Sequence, residues 1–550
     1  MPSTHLGDQS LDSLLSAMVA RDLPLALHQV KGLPPAYLIL AVLAIVAGAL
    51  VLYNTIWAIT SWRRLRHFDG PPLAGFSYLY ISYVSLTTYA WKIHMKTNQT
   101  YGSVARIGPN ELLTSDPELI KKMGSTRSSF SRSKWYNFAR VDPVEDTILN
   151  VTSTEIHDKW RNQLLVGYSG RENRSVEEDI DWAINWLVKV LRERYVSTDN
   201  VVRPLELARM SQQFTVDSMT KICFGKPFGY LEAEADVKGV LGIPERTGRW
   251  SRITANSPLL QYCLSFAVFR RTIARRLVSG MAQYNSLAKE IVGSRFKELD
   301  ATGDKDKYGD MMQSFINRGH TQRMCELQVP VLLTAGTETT ATAIRSIIFH
   351  VIAAPDAYRK LQNEIDTAVA DGRITTSPIS FKEAKDLPYV AASIYEALRM
   401  HPSFTGELMK TVPPEGYTIS DGRFVPGGTR IGHNTWEVMR NKEVFGQDVY
   451  HFRPDRFIEA DAATRSHMRS TVDLVFGAGR WQCLGRQLSL MEIHKCIVEV
   501  FRNFDLQIMN PYEPCRTMNN MTFRQFDMWT RVRERENKAS PPTETKTISE

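Results

Sequence analysis

Eighteen consecutive residues without a charge, AYLILAVLAIVAGALVLY at 36–53, leave this chain few choices. As a helix, with a weakly polar extension to residue 60, they would cross about 30 Å of hydrocarbon, where a backbone must satisfy its own hydrogen bonds. The stretch reads as a transmembrane anchor over 36–60. A cleaved signal peptide would need an apolar core of about 7–15 residues near the start, whereas 35 residues precede this one. Arg63, Arg64 and Arg66 follow at once, while 1–35 hold Arg21 and Lys31 against Asp8, Asp12 and Asp22. The positive-inside bias therefore puts 1–35 in a lumen and all that follows the anchor in the cytosol. The sequons at Asn98, Asn150, Asn173 and Asn520 would then never meet a glycosylation enzyme.

Gly70-Pro71-Pro72 breaks the helix pattern, and residues 61–75 read as a basic, proline-stiffened hinge. Beyond it helical periodicity dominates, at 179–195, 272–299, 327–353, 357–370 and 484–504, with short β-like runs at 103–107 and 111–114. The fold class is mainly α with small β-sheets. No second linker divides 76–536, which reads as one large domain, and the polar tail 537–550 reads as disordered. Lys and Arg number 67 against 59 Asp and Glu, a surplus of +8. Spread over so large a surface, it suits a membrane or an acidic protein and argues against nucleic acid. The six cysteines are far apart with no CxxC pair, which excludes a structural zinc site of that type and a disulfide framework.

The chemistry begins at Phe476-Gly-Ala-Gly-Arg480-Trp-Gln-Cys483-Leu-Gly485. Glycines at 477, 479 and 485 permit a tight turn and a close approach of backbone to a flat ligand. Cys483 stands just before the helical run 484–504, whose positive end favours a thiolate that could hold iron. Taken alone, a buried cysteine in a glycine-rich turn explains the segment more simply.

Four other segments reverse that balance. Glu338 and two hydroxyls interrupt an apolar run at Ala335-Gly-Thr-Glu-Thr339-Thr340, and a buried carboxylate without a role is expensive. Glu396 and Arg399 lie three apart on one helix face, where Arg456, from Phe452-Arg-Pro-Asp-Arg-Phe457, would complete a buried charge cluster. His157 and Arg161 lie four apart, a spacing suited to two carboxylates. In their order along the chain the five segments resemble the signatures of the cytochromes P-450. With the Gln-Cys-Leu-Gly loop and the anchor, they are most similar to fungal microsomal members of the kind of pisatin demethylase. Asp455 stands where that family usually has Glu.

The resemblance covers the chain from the anchor to about residue 535 and implies a cytochrome P-450 fold preceded by one transmembrane helix. It implies heme b with its iron on Cys483, cradled by Phe476 and Gly485. Ala335 and Gly336 would border the oxygen pocket, the glycine letting the helix widen. Glu338 and Thr339 would be the catalytic pair that delivers protons during dioxygen activation. His157 and Arg161 would hold the heme carboxylates, and Glu396, Arg399 and Arg456 would be structural. Pro330 is expected to kink the long helix. Two positions depart from the family pattern. Its usual Arg two residues before the cysteine is Trp481 here, with Arg480 one step earlier, and the strand residue that is often Arg corresponds to Lys410. Arg480 is expected to reach a propionate, with the Trp481 N–H on the other oxygen. The alternative turns Arg480 outward and leaves the propionates to His157, Arg161 and Lys410.

The resemblance further implies a monooxygenase in the endoplasmic reticulum membrane that uses O2 and takes electrons from a separate NADPH-cytochrome P-450 reductase. Arg480, Arg486, Lys159 and Lys495 would form a basic face for that partner, a solvated face being the competing reading. By family position the substrate cavity draws on 125–148, 225–275, 403–408 and 519–522. Phe404, Met521 and Leu259 there suit a lipophilic small molecule, with Asn519 or Asn520 orienting one polar group. A fungal polyketide or terpenoid is favoured. Two rivals stay open: a heme-thiolate isomerase or dehydratase that needs no reductase, and a non-catalytic anchored heme protein.

Overall fold

The computed structural model describes residues 35–536, apart from 143, 174, 264–265, 267–278 and 305–306. The expected lumenal segment and C-terminal tail lie outside the described residues, except for Pro35. The chain divides into two units, 1–64 and 65–550.

In the first unit, α1 (Pro35–Arg64) is one continuous helix of 30 residues. Leu43, Ile45 and Leu52 along it are exposed. By length and composition it can cross a membrane.

The second unit sets a helical body beside small sheets. A five-stranded sheet joins the hairpin β1 (Val104–Gly108) and β2 (Glu111–Thr114) to β3 (Ser131–Arg132), β4 (Lys410–Thr411) and β5 (Arg430–His433), in the order β1-β2-β5-β4-β3. β2 and β5 run parallel, and the other pairs are antiparallel. This sheet brings Arg132 and Lys410, far apart in sequence, into direct register. The helices used below are α2 (Thr154–Tyr168), α3 (Val176–Val190), α4 (Leu207–Phe224), α5 (Ile243–Asn256), α6 (Gln322–Ile352), α7 (Pro388–Met400) and α8 (Arg486–Asn503). A last hairpin, β6 (Arg516–Asn520) and β7 (Thr522–Phe526), turns over at Met521.

The long helix α6 is the axis of the body and packs along α4, α7 and α8. The Oγ1 of Thr321 caps its start, accepting from the Met324 N–H. Val329, Val331, Leu332 and Leu333 are buried, so tertiary burial holds this helix together through Pro330. Across the gap that carries the site, the hydroxyls of Thr340 on α6 and Ser489 on α8 lie 3.1 Å apart.

The expected hinge is corrected in part. Leu65 and Phe68 belong to the core. The Asp69 carbonyl accepts from the Arg106 N–H at 2.8 Å, and the Arg106 guanidinium donates to the Gly75 carbonyl at 3.0 Å. Residues 65–75 are therefore bound to the first strand and form part of the body. Asn98, Asn150 and Asn173 are buried, so packing alone covers three of the four sequons.

Candidate active site

A cavity of about 1400 Å³ opens between α6 on one side and the 476–485 loop on the other. Cys483 faces into it. The Cys483 N–H donates to the Phe476 carbonyl at 2.7 Å, which closes the loop. Gly479 has φ +54°, and a Cβ on it would overlap the carbonyl of Gly124. In return, a Cβ on Gly124 would stand 2.6 Å from the Ala478 oxygen, so the two backbones meet directly. Burial raises the Cys483 thiol, while the N–H groups of Gly485 and Arg486 and the charge of Arg161 draw it down. At Gly485 a Cβ would meet nothing nearer than 3.9 Å, so the open space there belongs to the cavity.

One edge of the cavity gathers basic side chains that can donate hydrogen bonds. Arg132, His157, Arg161, Lys410 and His433 all line it. Arg161 donates to the Gln482 carbonyl at 2.6 Å, and Arg132 to the Ile148 carbonyl at 2.6 Å. Lys410 Nζ donates to the Tyr136 hydroxyl at 2.5 Å and the Leu408 carbonyl at 3.1 Å. Among the described residues, no carboxylate comes within ion-pairing distance of Arg132, Arg161 or Lys410. Burial, with Arg132 nearby, pushes Lys410 well below its ordinary value and His157 down to about 4. The Trp481 ring lies 4.4 Å from the His157 ring, 4.8 Å under Arg132 and 5.5 Å under Lys410. Its Nε1–H and the Nε2 of His433 are buried with no hydrogen-bond partner among the described residues. An edge so rich in donors and so poor in anions fits a flat ligand that carries carboxylates.

Arg480 does not join this edge. Its guanidinium donates to the Thr126 carbonyl and leans towards Asp158 at 3.9 Å, outside the cavity lining. The expected propionate contact of Arg480 is corrected accordingly, because the Thr126 carbonyl holds one of its N–H groups and the residue lies outside the cavity lining. Arg132, which no motif marked, occupies the edge instead.

On the α6 side, Ala335, Gly336 and Thr339 line the cavity. Thr339 Oγ1 donates to the Ala335 carbonyl at 2.7 Å. The helix runs unbroken through Gly336, where the Met219 side chain packs on the bare Cα side. Glu338 is turned away. One oxygen accepts from Arg345 at 2.7 Å, the other from Gln212 at 2.5 Å, and it is not among the cavity-lining residues. No hydrogen bond joins its carboxylate to the Thr339 hydroxyl, which is bonded to the Ala335 carbonyl.

The charge cluster forms as expected. Arg399 holds both oxygens of Glu396 at 2.8 Å, and Arg456 and the Arg453 N–H reach Oε1 at 3.0 and 2.9 Å. The carbonyls of Met439 and Val449 accept from Arg399, and that of Phe445 from Arg456. All three charged groups are buried. Asp455 accepts from Lys360 at 2.6 Å and from the Tyr389 hydroxyl at 3.2 Å, so the shorter acid pins its loop to two helices.

Sequence comparison agrees with this geometry: residues 71–527 match the profile of the cytochrome P-450 family. The chain belongs to the cytochrome P-450 family. It is 36% identical over 486 residues to the cytochrome P-450 monooxygenase ABA1 of Pyricularia oryzae, covering 87% of this chain and 94% of that protein. It is 36% identical over 481 residues to aba1 of Botryotinia fuckeliana, covering 86% and 92%. To abl1 of Leptosphaeria maculans it is 35% identical over 480 residues, covering 85% and 82%. The chain is thus a P-450 of the fungal type and a monooxygenase, and its family carries heme on a cysteine thiolate. Membership of the family implies, in general, a redox partner, O2 and an organic substrate.

For a P-450, the remaining expectations divide. Phe404 and Met521 line the cavity, but Leu259 is 71% exposed and lies outside it. Asn519 is committed to Arg252 and Thr405, and Asn520 faces the cavity. Lys495 is no surface cation: it is fully buried, 2.7 Å from both Glu177 and Asp181 of α3. Arg486 is paired with Asp473 at 2.7 Å, and Lys159 is exposed.

Proposed function

We propose that this P-450 is a single-pass protein of the endoplasmic reticulum membrane with its body in the cytosol. It oxidises a lipophilic small molecule, a fungal polyketide or terpenoid, with electrons from NADPH through a membrane-bound reductase. The observation that carries the reading is the meeting, in one cavity, of the Cys483 thiol, an apolar wall and an edge of nitrogen donors on which Arg132, Arg161 and Lys410 have no carboxylate partner among the described residues. The anchor is supported by α1, and membrane contact further by the exposed Leu73, Phe76, Leu79 and Leu86 of the body.

Heme would be held by Cys483 from below and by Arg132, Arg161, His157, Lys410 and the Trp481 N–H along its carboxylate edge. When bound, it supplies the oxidising power that inserts one atom of O2 into a C–H bond while the other leaves as water. The chain's own residues orient and exclude. Cys483 is kept in place by the Phe476 carbonyl and the amides that follow it. Thr339 keeps a hydroxyl at the cavity surface for proton transfer, and Val331, Leu332 and Ala335 keep bulk water out.

The test is the reduced carbon monoxide complex of the membrane-extracted protein. A thiolate ligand shifts its Soret band to long wavelength, and Cys483→Ala must abolish that band. Retention of the band in the variant refutes the ligand assignment, and turnover without NADPH and reductase returns the isomerase reading.

A further inference from the structure

Glu338, the acid expected to serve the oxygen pocket, is engaged elsewhere: its two oxygens go to Arg345 and Gln212. Thr339 still presents a hydroxyl to the cavity, and a hydroxyl passes protons on only when another group supplies them.

A second acid lines the same cavity. Glu492, on α8, is 1% exposed. Its Oε1 is buried with no hydrogen-bond partner among the described residues, and no basic side chain among them pairs with it. An ionised carboxylate in that place would be both unsolvated and unpaired, which costs far more than a neutral one. Burial accordingly raises Glu492 to about 8, with the Ser218 hydroxyl of α4 pulling the other way. The titratable groups that face it are the thiols of Cys223 on α4 and Cys496 on α8, which burial keeps protonated. At neutral pH Glu492 therefore holds a proton that an ordinary glutamate has already lost.

Hydroxyls lie between this acid and Thr339. Ser489 precedes Glu492 by three residues, on the same face of α8. Its Oγ is 3.1 Å from the Oγ1 of Thr340, the residue after Thr339 on α6, and all four residues line the cavity. Either hydroxyl of that pair can donate to the other, so the pair can hand a proton across the gap between the two helices.

We infer that Glu492, in place of Glu338, is the proton source of the cavity, and that Ser489 and Thr340 carry its proton from α8 to α6. The O–H bond of the carboxylic acid breaks, the proton passes along the two hydroxyls towards Thr339, and a carboxylate remains until solvent reprotonates it. No electrons move in this transfer. The inference rests on the proposed oxidation, which consumes protons for the oxygen atom that leaves as water.

Two measurements on the full-length, heme-loaded protein test it. The first is the infrared C=O stretch of a protonated carboxylic acid, which should be present at neutral pH, disappear as pH rises through about 8, and be missing from Glu492→Gln. The second is NADPH-dependent oxygen uptake in vesicles with an NADPH-cytochrome P-450 reductase, with O2 as the probe. Glu492→Gln should keep the carbon monoxide band and slow uptake at least about tenfold. In the unaltered protein uptake should fall as pH rises through about 8, because only the protonated acid donates, and the variant, which cannot ionise there, should lack that fall. Glu338→Gln should retain it. Ser489→Ala removes a single hydroxyl and should slow uptake several-fold, which carries the test if Glu492→Gln fails to hold heme. Absence of the infrared band, or the same rate and the same alkaline fall in Glu492→Gln, would overturn the inference. Absence of NADPH-dependent uptake in the unaltered protein, with the infrared band present, would strike the proposed function alone.

Discussion

Glu338 and Arg345 form a buried ion pair, 2.7 Å from Oε1 to Nη2, seven residues and two turns apart on the same helix. Arg345 also holds Gln525 at 2.6 Å and the Phe523 carbonyl at 3.1 Å, so the carboxylate beside the oxygen pocket is built into the packing of the β6–β7 hairpin. Its removal has a structural consequence that a solvent-facing acid would not have.

Glu338→Gln is therefore expected to lower stability by about 3–5 kcal/mol, since Arg345 keeps its charge without a counter-ion. Thr339→Ala removes only a hydroxyl bonded to its own helix, and should leave stability within about 1 kcal/mol while diverting electrons from product to hydrogen peroxide. Denaturant unfolding and product formed per NADPH separate the two. Unchanged stability with slowed turnover in Glu338→Gln would show a carboxylate free to move protons.

Heme retention should follow Arg132 and not Arg480. Arg132→Leu removes a cation from the edge of the cavity, and the heme-to-protein absorbance ratio is expected to fall several-fold. Arg480→Ala, whose guanidinium meets only Thr126 and Asp158, should purify with full heme. The reverse ranking would restore Arg480 to the propionates.

Glu396→Ala leaves Arg399 buried without a carboxylate, while Arg456 keeps Asp448 at 2.8 Å. A loss of about 3–5 kcal/mol is expected, read as failure to accumulate heme-loaded protein. Normal yield with normal heme would mean that backbone carbonyls suffice for Arg399, and that these and Asp448 suffice for Arg456.

Acid should destabilise the fold before the surface carboxylates protonate. Burial holds His350 and His494, away from the cavity, down to about 4. The unfolded chain binds protons near the ordinary 6.5 and the folded one does not, so stability falls as pH drops from about 7 towards 4. Each residue contributes roughly 2 kcal/mol of that loss by pH 5. The His350 ring stacks on Phe452 at 5.3 Å, so His350→Phe should keep the contact and flatten the pH dependence of the unfolding midpoint.

Removal of residues 1–64 should release protein from membranes with its heme and unfolding midpoint retained. Removal of 1–75 takes Leu65 and Phe68 out of the core and should lower stability by several kcal/mol. Equal stability of the two truncations would make 65–75 a hinge after all.

What could be read from the sequence was chemistry confined to short spacing. Glu396 and Arg399 are one helical turn apart, and Gly479 precedes its cysteine by four residues, so local geometry carried both. Lys495 and Arg480 show the opposite case. Each is a basic residue whose direction is decided by atoms more than 300 positions away, Glu177 for one and the Thr126 carbonyl for the other. Arg132 escaped notice for the same reason: its place beside Lys410 exists only once two strands nearly 280 residues apart have paired. The hinge was misread because proline marks a break in helix and says nothing of whether the broken segment is packed.

The backbone contact between Gly124 and Gly479 sets a limit on how such an enzyme can diversify. The cysteine loop rests on the residue that opens the 125–148 wall of the cavity, and neither partner tolerates a side chain. Substitutions along that wall beyond Ser125, Arg132 apart, can therefore reshape the cavity while the loop that carries Cys483 stays seated on the same two glycines.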